Sequence, residues 1–181
     1  RQECAKERKA LLRTFCTRIY RPQRPGTPWV RLTALGSYRE VGRSMHLITT
    51  NESKVMVDCG AKPTNNRSEI MPYFNAPELL PFENLDAVVI THAHIDHIGM
   101  LPLLYRYGYT GPIYCTPPTR DLMVLLQGDY IKVATAEGHD PPYSLADVQE
   151  MIKHVVDVEW DKTVDISPDI KLTMVNAGHI L

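Results

Sequence analysis

Residues 86–104 constrain this chain more than any other stretch. They read Asp-Ala-Val-Val-Ile-Thr, then His-Ala-His-Ile-Asp-His, then Ile-Gly-Met-Leu-Pro-Leu-Leu. The opening run of β-branched apolar residues predicts a buried strand. The closing run predicts the first turns of a helix. Between them lie four metal-ligating side chains, His92, His94, Asp96 and His97. Extended backbone points His92 and His94 the same way, and the turn into the helix brings Asp96 and His97 to the same cavity from another side. A polar loop whose histidines only meet solvent is the bland alternative. Three histidines and an aspartate at this spacing, between a strand and a helix, argue against it. Imidazole and carboxylate are ordinary zinc ligands, and a catalytic zinc keeps one position open. Two adjacent zincs can activate water and clamp both oxygens of a displacement at phosphorus.

The 181 residues, 44% of them hydrophobic, suffice for one domain core. The net charge of −1 hides an asymmetry. Residues 1–31 carry nine Lys or Arg against two acids, and residues 32–181 carry eleven against nineteen. A basic leader on an acidic body suggests either an arm that meets phosphate backbone or a solvated helix face. Cys4, Cys16, Cys59 and Cys115 form no C-x-x-C pair, which predicts reduced thiols and a cytoplasmic setting. Cys59 beside Asp58 reads as a small buried residue rather than a ligand. No stretch approaches the ~18 apolar residues of a membrane span.

Residues 1–13 have helical composition, and the proline-rich run from Arg21 to Pro28 reads as an extended linker. The absence of an initial methionine suggests that the chain begins inside a longer protein. Trp29 to Leu35 predicts a strand, and Ser44 to Thr50 with Lys54 to Asp58 predicts a hairpin. Cys59 to Leu85 is long, irregular and proline-punctuated, the pattern of a functional or mobile loop that covers one side of the metal cleft. Pro112 to Cys115 is a strand. Pro117 to Ala136 is a helix, with Leu122, Leu125, Leu126 and Tyr130 as its core stripe. Ser144 caps a further helix, and Val155 to Glu159, Thr163 to Ile166 and Lys171 to Val175 predict three strands. His46, His139 and His154 have no ligand neighbours and read as surface or satisfied core.

The motif His92-x-His94-x-Asp96-His97, with Thr91 before it and Gly99 after it, resembles the signature of the metallo-β-lactamase fold. Asp58, ending the run from Lys54, and His179, in Asn176-Ala-Gly-His179-Ile-Leu181, fit the same resemblance. Ile98-Gly-x-Leu101-Pro102-x-Leu104, Glu40-Val-Gly-Arg43-Ser44 and Gly128-Asp129-Tyr130-x-Lys132-Val133 are similar to the β-CASP branch, which processes nucleic acids. Within that branch the chain is most similar to archaeal homologues of the cleavage and polyadenylation specificity factor. The resemblance runs from about Trp29 to Leu181 and covers most of the chain.

The resemblance implies an α/β fold, the αββα sandwich of the metallo-β-lactamases, of which only the N-terminal half is present. Residues 1–28 are then a basic helical leader and linker, and residues 29–181 the half-domain. His92, His94 and His179 are expected on one zinc, and Asp96 and His97 on a second. Asp58 and Asp96 are the expected catalytic carboxylates, with Asp58 orienting a ligand or the water rather than binding directly. Glu40 is either a structural turn or a substrate contact. The family's bridging aspartate, further histidine and nucleic-acid cap all lie later than His179, and its archaeal members carry RNA-binding KH-type domains ahead of Trp29. The implied activity is zinc-dependent RNA cleavage, endonucleolytic with 5′-to-3′ trimming, in 3′-end formation or transcription termination. RNA and the transcription machinery are the implied partners, and any homodimer contact would lie in regions outside this chain. The helix after Gly99 is expected to offer its N-terminus to phosphate. The piece alone is expected to hold at most one zinc and to cleave nothing. A thioesterase or glyoxalase-type hydrolase and a non-catalytic scaffold subunit are the competing classes.

Overall fold

The computed structural model describes residues 2–23, 25–64 and 66–180. Arg24 of the basic leader and Leu181 of the last motif lie outside the described residues. Six strands form one mixed sheet: β1 (Val30–Ala34), β2 (His46–Thr50), β3 (Lys54–Val57), β4 (Ala87–Val89), β5 (Ile113–Cys115) and β6 (Val155–Asp157). They lie in chain order across the sheet. β1, β2 and β3 pair antiparallel, whereas β3 to β6 run parallel. A second sheet holds only the antiparallel pair β7 (Thr163–Asp165) and β8 (Lys171–Thr173).

Alternation along the strands sorts the core into two layers. Met56, Val88, Ile113, Cys115 and Val155 point to one face and pack with Ile98, Leu101, Leu104 and Met123. Val55, Ala87, Val89 and Tyr114 point to the other and pack with Ile166 and Met174 beside the small sheet. Each fully buried Leu, Ile or Met contributes roughly 1.5–3 kcal/mol. Helices therefore cover one face and a second sheet begins to cover the other, which is the start of the expected sandwich.

Parallel strands need a return crossing between them. From β4 to β5 the return is α2 (Ile95–Ile98) with α3 (Leu101–Arg106), and from β5 to β6 it is α4 (Pro117–Ala136) with α5 (Leu145–Lys153). Ser144 caps α5 in a reciprocal capping box with Asp147. From β3 to β4 the irregular run after Cys59 makes the crossing, with two short 3₁₀ turns at Arg67–Glu69 and Phe82–Asn84. The sequence suggested a cleft cover here. The last part of the run is core rather than cover: Leu79, Phe82 and Leu85 are buried, and Lys54 Nζ donates to the Glu78 carbonyl (2.7 Å) at the amino end of β3.

The leader helix, α1 (Gln2–Ile19), outruns its expected end at Arg13. Phe15 is 2% exposed and packs near His154, so tertiary contact extends the helix. Arg8 Nη2 donates to the Val155 carbonyl (2.6 Å), and Arg18 donates to the Leu85 carbonyl (3.0 Å) and to Thr110 (2.7 Å). Arg21 pairs with Asp86 and donates to the Glu52 carbonyl. These partners sit at the amino ends of the parallel strands. Neither expectation for the leader foresaw this, because both left the arginines facing solvent.

Packing corrects two further expectations, one of them in part: Leu126 and Tyr130 of the expected α4 stripe do pack against the core. Leu125 is 67% exposed, and the buried positions of α4 are Thr119, Met123 and Gln127. Gln127 Nε2 donates to the Ile98 carbonyl (3.0 Å), which rotates the inward stripe away from Leu125. The helix start after Gly99 is buried: Met100, Leu101 and Pro102 face the core, and Pro102 has no N–H to donate. That end offers nothing to phosphate.

Candidate metal centre

Asp58 leaves β3 with φ +60, a left-handed conformation rare for a non-glycine residue. Its carboxylate is buried. The Thr91 amide (2.9 Å) and the Thr91 hydroxyl (3.0 Å) hold Oδ1, and His97 Nδ1 reaches Oδ2 at 2.7 Å. A His97 ring that donates from Nδ1 keeps the lone pair on Nε2 turned outward. Asp96 Oδ2 lies 3.6 Å from that Nε2.

His92 and His94 follow β4, and His94 is the first residue before α2, with an extended ψ of 144. His92 Nε2 and His94 Nδ1 are 3.0 Å apart, and His179 Nε2 lies 3.3 Å from His94 Nδ1. The three donor atoms all fall within 4.8 Å of one another. Neighbouring donors on a tetrahedral zinc with bonds of ~2.0–2.1 Å stand about 3.3 Å apart. The donor set and its spacing therefore fit one such ion held by His92, His94 and His179. The His92 and His97 ring centroids are 4.0 Å apart, so His97 and Asp96 flank this trio.

The electrostatics suit a cation. Burial, then the neighbouring His97, lowers the His92 pKa and favours the neutral ring that a metal needs. For His97 burial opposes the charged form, but the hydrogen bond and charge of Asp58, with Asp96, raise the pKa overall. Thr91 was legible only as part of a pattern. Its hydroxyl also lies 2.9 Å from His92 Nδ1, so one side chain joins Asp58 to a ligand ring. No periodicity announces such a contact.

The remaining candidates resolve separately. Cys59 is fully buried, and burial, then the Asp58 charge, pushes its thiol well up. All four cysteines are free. Glu40 spends both oxygens on Arg43 and Lys62 (2.6, 3.1 and 2.9 Å), which fits the structural-turn alternative. His46 packs edge-on against Tyr38, and His154 packs between Phe15 and Tyr105. Among the described residues no helix is long and apolar enough to cross a membrane.

A family model described as the metallo-beta-lactamase superfamily domain matches residues 47–181. The chain belongs to the metallo-β-lactamase superfamily. Among its curated relatives, a protein named transcription termination factor FttA from Methanosarcina mazei is 51% identical over 97% of this chain and 28% of its own length. Its namesake from Pyrococcus abyssi is 50% identical over 99% of this chain and 29% of its own length. Among solved structures, Rm3 metallo-beta-lactamase aligns with a TM-score of 0.46 at 18% identity, over 84% of this chain and 51% of that one. The chain thus spans under a third of the length of these FttA relatives. As a superfamily member it has metal-binding chemistry as its family's common ground, and its histidine trio sits where the carboxyl ends of the parallel strands open.

Proposed function

We propose that this chain is the amino-terminal part of the catalytic domain of a longer zinc-dependent ribonuclease of the β-CASP branch, which cuts RNA in the cytoplasm during transcription termination. The observation that carries the reading is the convergence of His92, His94 and His179 beside the Asp58-braced His97 and Asp96. The first three would hold one zinc, and Asp96 and His97 would supply part of a second site. Bound zinc lowers the pKa of water and offsets charge on phosphate oxygens. The chain's own residues set the stage: Asp58 fixes the His97 ring, Thr91 ties Asp58 to His92, and His94 turns the strand into α2. The names of the relatives support RNA and the transcription machinery as partners.

The test uses the full-length protein. Asp96→Ala with His97→Ala should lower zinc content from two ions per chain toward one and abolish RNA cleavage, with the fold retained as read by circular dichroism. Full cleavage by the double variant in chelator-treated buffer overturns the two-zinc reading.

A further inference from the structure

α2 is a single turn, so its carbonyls find no partners within the helix beyond the Gly99 amide on Ile95. They accept from outside instead. The Ile95 carbonyl takes the Ala61 amide (3.0 Å), the His97 carbonyl takes the Cys59 amide (2.7 Å), and the Asp96 carbonyl takes the Ser44 amide (2.8 Å). Cys59 and Ala61 belong to the exit of β3. Ser44 comes from a different loop, where it directly follows Arg43, and its carbonyl accepts the Gly60 amide (3.0 Å).

Arg43 is 8% exposed and sits at φ +43. Backbone outliers of this kind persist only where the surroundings over-determine them, and they cluster at functional sites. The surroundings here do so. The Arg43 guanidinium forks onto both oxygens of Glu40 (2.6 and 3.1 Å). It donates to the Glu69 and Met71 carbonyls (3.2 and 3.1 Å), and it lies 4.8 Å over the Tyr73 ring. A bidentate Arg–carboxylate pair fixes orientation as well as adding energy. None of these contacts touches a metal donor, so Arg43 acts on the centre through the backbone: through Ser44, and through its own amide on the Ala61 carbonyl (3.1 Å).

We propose that Arg43, clamped by Glu40, is a positioning residue for the second metal site. Through the Ser44 amide it holds the Asp96 carbonyl, and with it the Asp96 and His97 side chains, at one setting. The inference rests on the two-zinc reading above.

The test titrates the metal-free full-length protein with zinc against a chromophoric chelator, for wild type, Glu40→Gln, Arg43→Lys, Arg43→Met and Asp96→Ala. The first ion should bind every variant within about twofold of wild type, while Arg43→Met weakens the second roughly 10–100-fold and Asp96→Ala, which removes a ligand of that site, weakens it at least as much. Arg43→Lys should fall between, since it keeps a charge for Glu40 but cannot also reach two carbonyls. Glu40→Gln is the gentler change and carries the test if Arg43→Met does not fold. An unchanged second affinity in Glu40→Gln and Arg43→Lys, with only the thermal midpoint lowered, reduces Arg43 to fold maintenance and overturns the proposal. A wild-type curve with one ion, or an Asp96→Ala curve identical to wild type, overturns the two-zinc reading itself and the proposal with it.

Discussion

At the carboxyl ends of β3 and β4, backbone holds backbone, and the histidine rings are left facing one another. At the amino ends of the parallel strands, side chains do the holding: Arg8 and Arg18 of α1, and Arg21 just after it, reach carbonyls and Asp86. The first arrangement is poor for stability, since it gathers four imidazoles with ring centroids about 4–5 Å apart. It becomes favourable once a cation takes the lone pairs. The second arrangement spends charge on fastening a helix. A basic leader is therefore no evidence by itself of a nucleic-acid surface, because three of its guanidiniums already have protein partners.

Breaking the site end should cost most. A Cβ at Gly60 would stand 1.6 Å from the Asp96 carbonyl oxygen and 2.1 Å from its carbon. Gly60→Ala should destabilise by roughly 3 kcal/mol and strip metal from the Asp96 side, as read by urea denaturation and elemental analysis. A wild-type denaturation midpoint would show that the junction is looser than it looks.

Breaking the opposite end should lower stability alone. Arg21→Ala leaves the buried Asp86 carboxylate with the Lys54 amide (2.9 Å) as its remaining described hydrogen bond. The expected loss is about 2 kcal/mol, with zinc content unchanged. Loss of metal in this variant would mean that the two ends are coupled.

A pH series sharpens the contrast within the site end. Hydrogen bonds from Arg43, then Lys62, hold the Glu40 carboxyl at about 2, down from 4.5. A lowered carboxyl pKa stabilises the fold above the unfolded value, and that contribution drains away as pH falls from 4.5 toward 2. The gap in thermal midpoint between wild type and Glu40→Gln should therefore narrow across that window. A constant gap would mean that the ion pair adds nothing to stability.

The smallest effect is expected at the leader's outer face, where Lys6, Lys9 and Arg13 are exposed. Neutralising them in the full-length protein should lower the salt slope of RNA binding by about 0.7 for each phosphate that is no longer neutralised. No change in slope assigns that face to solvent.

The sequence by itself determined what local pattern can encode. Apolar and alternating runs placed β1 to β8, the Ser144–Asp147 spacing placed a helix start, and four candidate ligands within six residues marked the centre. Each of these signals lies within one element or one turn. Tertiary structure decided whatever depends on a partner far along the chain. Phe15 and Arg18 carry α1 on to Ile19 through His154, Leu85 and Thr110. Gln127 turns α4 so that Met123, not Leu125, faces inward. Asp58 meets His97 across 39 positions, and His179 meets His94 across 85. A side chain's pattern tells which face it belongs to. Only the folded backbone tells which distant group stands opposite, because that depends on how every intervening element packs.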